Sequence, residues 1–242
     1  MNKNLNKNLT NMLMKNKKGK LLVIEGVDSA GKSSQVKLIT NYYENQGLKV
    51  INFHFPTYTH NEFGKVITSF IQGNFGNSDK VNPYFVANIY AMDRYLFRDE
   101  LNKMLEEYDI VILDRYVLSN AAYQAAKFPI NSKEASDIVD WILEFEFDFL
   151  DLPEQDLCLF LNVPMETIKN RLTSTRTGTD RDYLDGKSDI HEEDLELQKR
   201  VNYTYLNMEQ IAGYEMYEYI IIDCNDYNPD EIFSLYIDHL KI

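Results

Sequence analysis

The 242-residue chain has 25 basic and 38 acidic residues, a formal net charge of -13 that argues against a general nucleic-acid binder, whose affinity comes from Lys and Arg neutralising phosphates. Its 44% hydrophobic content suffices for a sizeable core and is compatible with one compact domain. The two cysteines, Cys158 and Cys224, each lie in an apolar run, which disfavours a disulfide framework or a paired-ligand zinc site, and no apolar stretch approaches the roughly 20 residues of a membrane span. A soluble, cytoplasmic protein with neither membrane nor nucleic acid as partner is expected.

Met1 to Gly19 is rich in Asn and Lys and has no acidic residue, which reads as a disordered basic arm; the absence of Arg and Ser weakens a transit-peptide reading. Residues 20–242 then read as the single folded domain. Lys20 to Glu25 is a short apolar run ending at a glycine, the pattern of a parallel strand buried on both faces. From Lys32, apolar residues recur at helical spacing until Gly47, and Leu48 to Phe55 returns to strand, completing a βαβ unit. Tyr108–Asp114, Asp156–Asn162 and Tyr219–Asp223 repeat the strand pattern between helical segments. These alternations predict an α/β fold, a doubly wound five-stranded parallel sheet with helices on both faces. Asn82 to Leu105 has one Pro at its start and no Gly, so it predicts one long helix. Apolar content collapses over about residues 173–190, a candidate mobile lid, and Asp189 to Ile211 resumes a helical pattern.

Gly26-Val-Asp-Ser-Ala-Gly-Lys-Ser33 is a complete phosphate-loop pattern. Its glycines let backbone N–H groups surround phosphate oxygens, Lys32 meets the β and γ phosphates, and the Ser33 hydroxyl suits Mg²⁺. The motif follows an apolar strand and opens a helix, so the anion would lie at the positive end of a helix dipole. Asp114 closes the third strand, where an acid can hold Mg²⁺, and it would serve equally as a helix cap. Arg115 beside it can pair with an acceptor phosphate through its planar fork. Tyr90 and Arg94, four apart on the long helix, put an aromatic plane and a guanidinium on one face. The Gln124 amide offers a donor and an acceptor to a pyrimidine edge.

In order and spacing, Ile24 to Gln35, Phe55-Pro56, Asp114-Arg-Tyr116 and Ser119 to Gln124 together resemble the thymidylate kinase family of P-loop nucleoside monophosphate kinases. The resemblance implies a homodimer that transfers the γ-phosphate of ATP to dTMP in dTTP synthesis, with Mg²⁺. It also implies an ATP site of Gly26, Ser29, Ala30, Gly31, Lys32, Ser33, Ser34 and Arg171, with Lys32 and Arg115 catalytic and Ser33 and Asp114 on the metal. On the acceptor side it implies Phe55, Pro56 and Ser119, Tyr90 stacked on thymine, Arg94 and Gln124 at its edge, and Arg115 on the phosphate. Asp28 would accept the sugar 3′-hydroxyl, although an Asx turn would also explain it, and His191 would lie near the 2′ position. Some members place an arginine after the acid in the phosphate loop; here that position is Ser29, which shifts the expected catalytic charge to the lid residues Arg176 and Arg181, with Lys187 also available. An arginine frequent near Phe55-Pro56 is also missing, and His54 is the nearest basic substitute. Another P-loop nucleoside or nucleoside-monophosphate kinase, or a non-catalytic nucleotide-dependent regulator, would share the phosphate loop.

Overall fold

The computed structural model describes residues 19–76, 80–173, 194–213, 216 and 218–241. Five strands, β1 (Lys20–Glu25), β2 (Val50–His54), β3 (Ile110–Asp114), β4 (Leu157–Asn162) and β5 (Tyr219–Asp223), form one all-parallel sheet in the order β2-β3-β1-β4-β5. All five expected strands are present. Three start later than expected, β4 by a single residue and β2 and β3 by two, where the preceding residues have other partners. Asp109 ties the β2 entry down by accepting from the Lys49 N–H and donating to the Lys49 carbonyl, and Tyr108 caps the helix before β3.

Central β1 and β3 are almost wholly buried, as continuous apolar runs in a two-faced sheet require, whereas the edge strands β2 and β5 are only partly covered. Helices α1 (Lys32–Glu44), α2 (Glu62–Ile71), α3 (Pro83–Glu107), α4 (Val117–Ala125) and α5 (Lys133–Leu143) fill the first half. A π-helical turn, Glu144–Phe149, extends α5, and α6 (Met165–Thr173), α7 (Leu195–Leu206), α8 (Met208–Ala212) and α9 (Pro229–Tyr236) follow. Asn82 caps the long helix α3 by accepting from the Tyr84 N–H at 2.9 Å, with Pro83 at the first turn where its missing N–H costs nothing. The helix expected from Asp189 to Ile211 is two helices divided at Asn207; residues 189–193 lie outside the described residues.

The main core packs both faces of the sheet, and a smaller apolar cluster of Ile67, Phe70, Ile71, Val86 and Ile89 joins α2 to α3. Among the buried charged groups, one sits at the end of the central strand. Glu25, the last residue of β1, is fully buried and accepts from the Tyr116 N–H (2.9 Å), the Ser119 N–H (3.1 Å), the Ser119 hydroxyl (2.5 Å) and the Tyr205 hydroxyl (2.8 Å). A carboxylate at the first turn of α4 complements the positive end of that helix and gives its open N–H groups an acceptor. Glu25→Ala leaves those donors buried without partners and is expected to lower unfolding stability by about 3 kcal/mol. A urea midpoint shifted down at unchanged m-value checks this; an unshifted midpoint refutes it.

Candidate active site

The phosphate loop runs from Gly26 at the end of β1 to the start of α1. Gly31 has φ +97°, the left-handed region that glycine enters without strain, and no side chain caps α1, so its first N–H groups remain for an anion. Lys32 is buried and donates to the carbonyls of Gly26 (3.2 Å) and Val27 (3.0 Å). Burial, aided by the nearby Arg115 charge and opposed by Asp114, brings its pKa down to about 8. Arg171, in the last turn of α6, donates to the carbonyls of Ser29 (3.0 Å) and Ala30 (3.3 Å), so the loop is braced from the side opposite β3. The Ser29 hydroxyl is buried without a protein partner.

Across the loop, the Ser33 hydroxyl donates to Asp114 Oδ2 at 3.4 Å, and Asp114 Oδ1 is buried with no partner. A hydroxyl beside a carboxylate oxygen in need of a ligand suits Mg²⁺, which takes few protein ligands and the rest from phosphates and water. Among the described residues no cluster of three or more His, Cys, Asp or Glu offers an all-protein cage.

Arg115 follows Asp114 with φ +70°, an uncommon conformation for a residue with a side chain, costing of order 1–3 kcal/mol. Its guanidinium meets Asp28: Nη2 donates to Asp28 Oδ1 at 2.5 Å, while Nη1 donates to the Ser119 hydroxyl at 3.2 Å. The Tyr123 hydroxyl and Gln198 Nε2 each donate to Asp28 Oδ2 at 2.8 Å. Burial opposes the Asp28 charge, but Arg115, Lys32 and these hydrogen bonds win and hold its carboxyl far below the usual range.

Asp28 and Arg115 line a pocket together with Phe55, Pro56, Tyr58, Ile71 and Tyr90. The Phe55-Pro56 bond is cis. Arg94, Ser119, Asn120, Tyr123 and Gln124 complete the lining. Arg94 is buried and bidentate: Nε and Nη2 donate to Glu146 Oε2 and Oε1 at 2.5 and 2.6 Å, and Glu146, on the π-helical turn, is fully buried. Asn120 Nδ2 donates to the same Oε1 at 2.9 Å and to the Ala87 carbonyl at 2.9 Å. Asn120 Oδ1 and Gln124 Nε2 are buried without partners.

The match to a family model and to known proteins follows this geometry. The model described as thymidylate kinase matches residues 24–228. The chain belongs to the thymidylate kinase family. It is 33% identical to the Mycobacterium tuberculosis thymidylate kinase over 189 residues, covering 78% of this chain and 85% of that protein. It is 33% identical to the Desulfotalea psychrophila thymidylate kinase over 70% of this chain and 76% of that one. The solved Candida albicans thymidylate kinase shares the fold at TM-score 0.67 and 21% identity, covering 93% of this chain and 92% of that one. The reaction of this thymidylate kinase is ATP plus dTMP to ADP plus dTDP.

The structure brings together the expected loop residues and Ser33 with Asp114, and it places Asp28, Phe55, Pro56, Tyr90, Arg94, Arg115, Ser119 and Gln124, the residues expected on the acceptor side, around one pocket. His54 lines a second cavity with Ser33, Lys37, Asn41 and Asp114 rather than the pocket of Tyr90 and Arg94. Arg176, Arg181, Lys187 and His191 lie outside the described residues. Sequence reasoning missed Asn120, Tyr123, Glu146 and Gln198. The first two lie within the quoted Ser119 to Gln124 motif, whereas Glu146 and Gln198 are long-range partners that no local pattern marks.

Triphosphate favours the charged form of Lys32, which is protonated below about pH 8 and neutral above it. Binding of a non-hydrolysable ATP analogue at pH 8.5 is therefore expected to take up protons, and affinity should fall as pH rises through 8. Calorimetry in two buffers of different ionisation enthalpy measures the uptake, which should vanish in Lys32→Met; equal uptake in the variant excludes Lys32 as the source.

Proposed function

We infer that the acceptor pocket selects dTMP by the polarity of its side chains. The observation that carries this is the pair of orphaned amide atoms. Both hydrogens of Asn120 Nδ2 are committed to Ala87 and Glu146, so Asn120 presents an acceptor. Gln124 presents a donor, and Arg94 has Nη1 left beyond its two bonds to Glu146. An acceptor beside two donors matches the N3–H and O4 of thymine and mismatches cytosine, whose N3 accepts and whose 4-amino group donates. A pocket built to hydrogen-bond one pattern rejects the reverse strongly, because the mismatch leaves buried polar groups unpaired. Tyr90 supplies the plane against which the base stacks, and Ile71 and Pro56 are apolar neighbours for the 5-methyl group.

Asp28, kept charged, accepts the 3′-hydroxyl, and Arg115 meets the acceptor phosphate between the loop and the pocket. Lys32 and the open N–H groups of α1 hold the β and γ phosphates, with Arg171 bracing the loop behind them. Ser33 and Asp114 are the residues that would hold Mg²⁺, which would supply positive charge to the phosphates. In-line transfer needs positioning and positive charge more than covalent chemistry, and with serine at position 29 we assign the remaining charge to Arg176 and Arg181, and a sugar contact to His191.

We further propose a homodimer and a cytoplasmic location. Phe85 and Leu96 are exposed on α3 and eleven residues apart, which places them on one face, and both cysteines are free thiols. Leu96→Glu is expected to shift the protein toward monomer in analytical ultracentrifugation; an unchanged sedimentation coefficient for a dimeric parent would place the interface elsewhere.

A coupled ADP-release assay across dTMP, dUMP, dCMP, AMP and GMP tests the acceptor reading. dTMP should be preferred, with dCMP disfavoured most among the pyrimidines. Asn120→Ala should raise the dTMP KM about tenfold with kcat within a few-fold, since a ground-state contact is removed. Preference for dCMP or a purine would overturn the assignment.

A further inference from the structure

We infer that Lys127 is a positioning residue for base recognition, fixing which end of the Gln124 amide faces the acceptor pocket. This rests on the reading of that pocket as the thymine site. A glutamine amide is nearly symmetric in shape, and half a turn about its last bond exchanges a donor for an acceptor. Discrimination between a 4-oxo and a 4-amino pyrimidine therefore needs something that forbids the turn.

Lys127 lies just past the end of α4, where its Nζ donates to Gln124 Oε1 at 2.7 Å. An ammonium has donors only, so Oε1 must face it and Nε2 must face the other way. That nitrogen is the buried, unpartnered one, and Gln124 lines the pocket. The surroundings of Lys127 point to the same use. Burial alone moves its pKa, down to about 8, with no carboxylate contributing. Its Nζ sits 5.4 Å over the centroid of Phe70, in the apolar cluster that also holds the pocket residue Ile71. A lysine serving only the surface would extend into water; this one is drawn inward onto one amide oxygen and one aromatic face.

The partner's chemistry thus sets the amide's polarity, and replacing it changes specificity in a direction that depends on the replacement. Methionine removes the donor and lets the amide take either orientation. Glutamate, an acceptor only, favours the reverse one, with Oε1 in the pocket.

The test is steady-state kinetics of the full chain with dTMP and dCMP for Lys127→Met, Lys127→Glu, Lys127→Arg and Gln124→Ala, each checked for an intact fold by circular dichroism. In Lys127→Met the dTMP KM should rise about fivefold with kcat within twofold, and the dTMP to dCMP ratio of kcat/KM should fall about tenfold. Lys127→Glu should lower that ratio further, whereas Lys127→Arg, again a donor-only cation, should keep it within about threefold. Equal losses for both substrates in the folded variants, or an unchanged ratio while Gln124→Ala lowers it, would overturn the inference and leave the base-pocket reading standing. An unchanged ratio in Gln124→Ala itself would defeat the base reading and this inference with it. If Lys127→Met or Lys127→Glu fails to fold, the remaining one decides by the same ratio.

Discussion

The position of the phosphate loop relative to α4 depends on one buried carboxylate. Glu25 ends the central strand immediately before the phosphate loop, and its oxygens are held by the start of α4 and by Tyr205 of α7. Phosphoryl transfer tolerates little error in the line between the two phosphates, so the loop that holds ATP and the helix that carries Ser119, Asn120 and Gln124 must share a rigid reference. A buried carboxylate with four donors around it supplies that reference, because each displaced donor would be left unpaired at a cost of about 1–3 kcal/mol. The parallel sheet does the rest: β1 and β3 are neighbours in register, Ile24 beside Asp114, so Gly26 and Arg115 emerge side by side.

A second constraint is electrostatic. Asp28, Arg115, Lys32 and Asp114 are four charges in one cleft, two of each sign, and each carboxylate lowers the cost of burying the cations. The arrangement is not symmetric. Asp28 is saturated by Arg115, Tyr123 and Gln198, whereas Asp114 retains an unpartnered oxygen. One acid is thus held charged by protein donors on both of its oxygens, and the other keeps one oxygen without a partner. The unusual backbone of Arg115 belongs to the same design. In this conformation the guanidinium hydrogen-bonds Asp28 and leaves Asp114 Oδ1 without a partner.

The sheet and the phosphate loop were legible in the sequence because both are local: continuous apolar runs specify buried parallel strands, and a glycine-spaced loop between strand and helix needs no distant partner. The tyrosine and arginine of α3 were legible for the same reason, as helical spacing puts them on one face. Local spacing did not reveal what fastens them. Glu146 lies 52 residues beyond Arg94 in a π-helical turn, and in sequence it is one acid among several in Glu144-Phe-Glu-Phe-Asp148. Gln198 is 170 residues from Asp28 on a helix whose pattern marks it only as polar. The break at Asn207 was hidden as well, since apolar spacing continues across it while the backbone does not.

Side chains that can both donate and accept acquire a definite meaning from partners that can do only one. Asn120 is committed by a carbonyl and a carboxylate, acceptors only, so its oxygen is what remains; Gln124 is committed by an ammonium, a donor only, so its nitrogen remains. Two ambiguous amides become one acceptor and one donor. Arg94, unable to accept in any state, needs no such instruction and is anchored instead for position, by a carboxylate that also instructs Asn120. The buried Arg94–Glu146 pair therefore serves orientation as well as stability, because an apolar pair of the same volume would hold the helices together but would remove one of the two acceptors that orient Asn120.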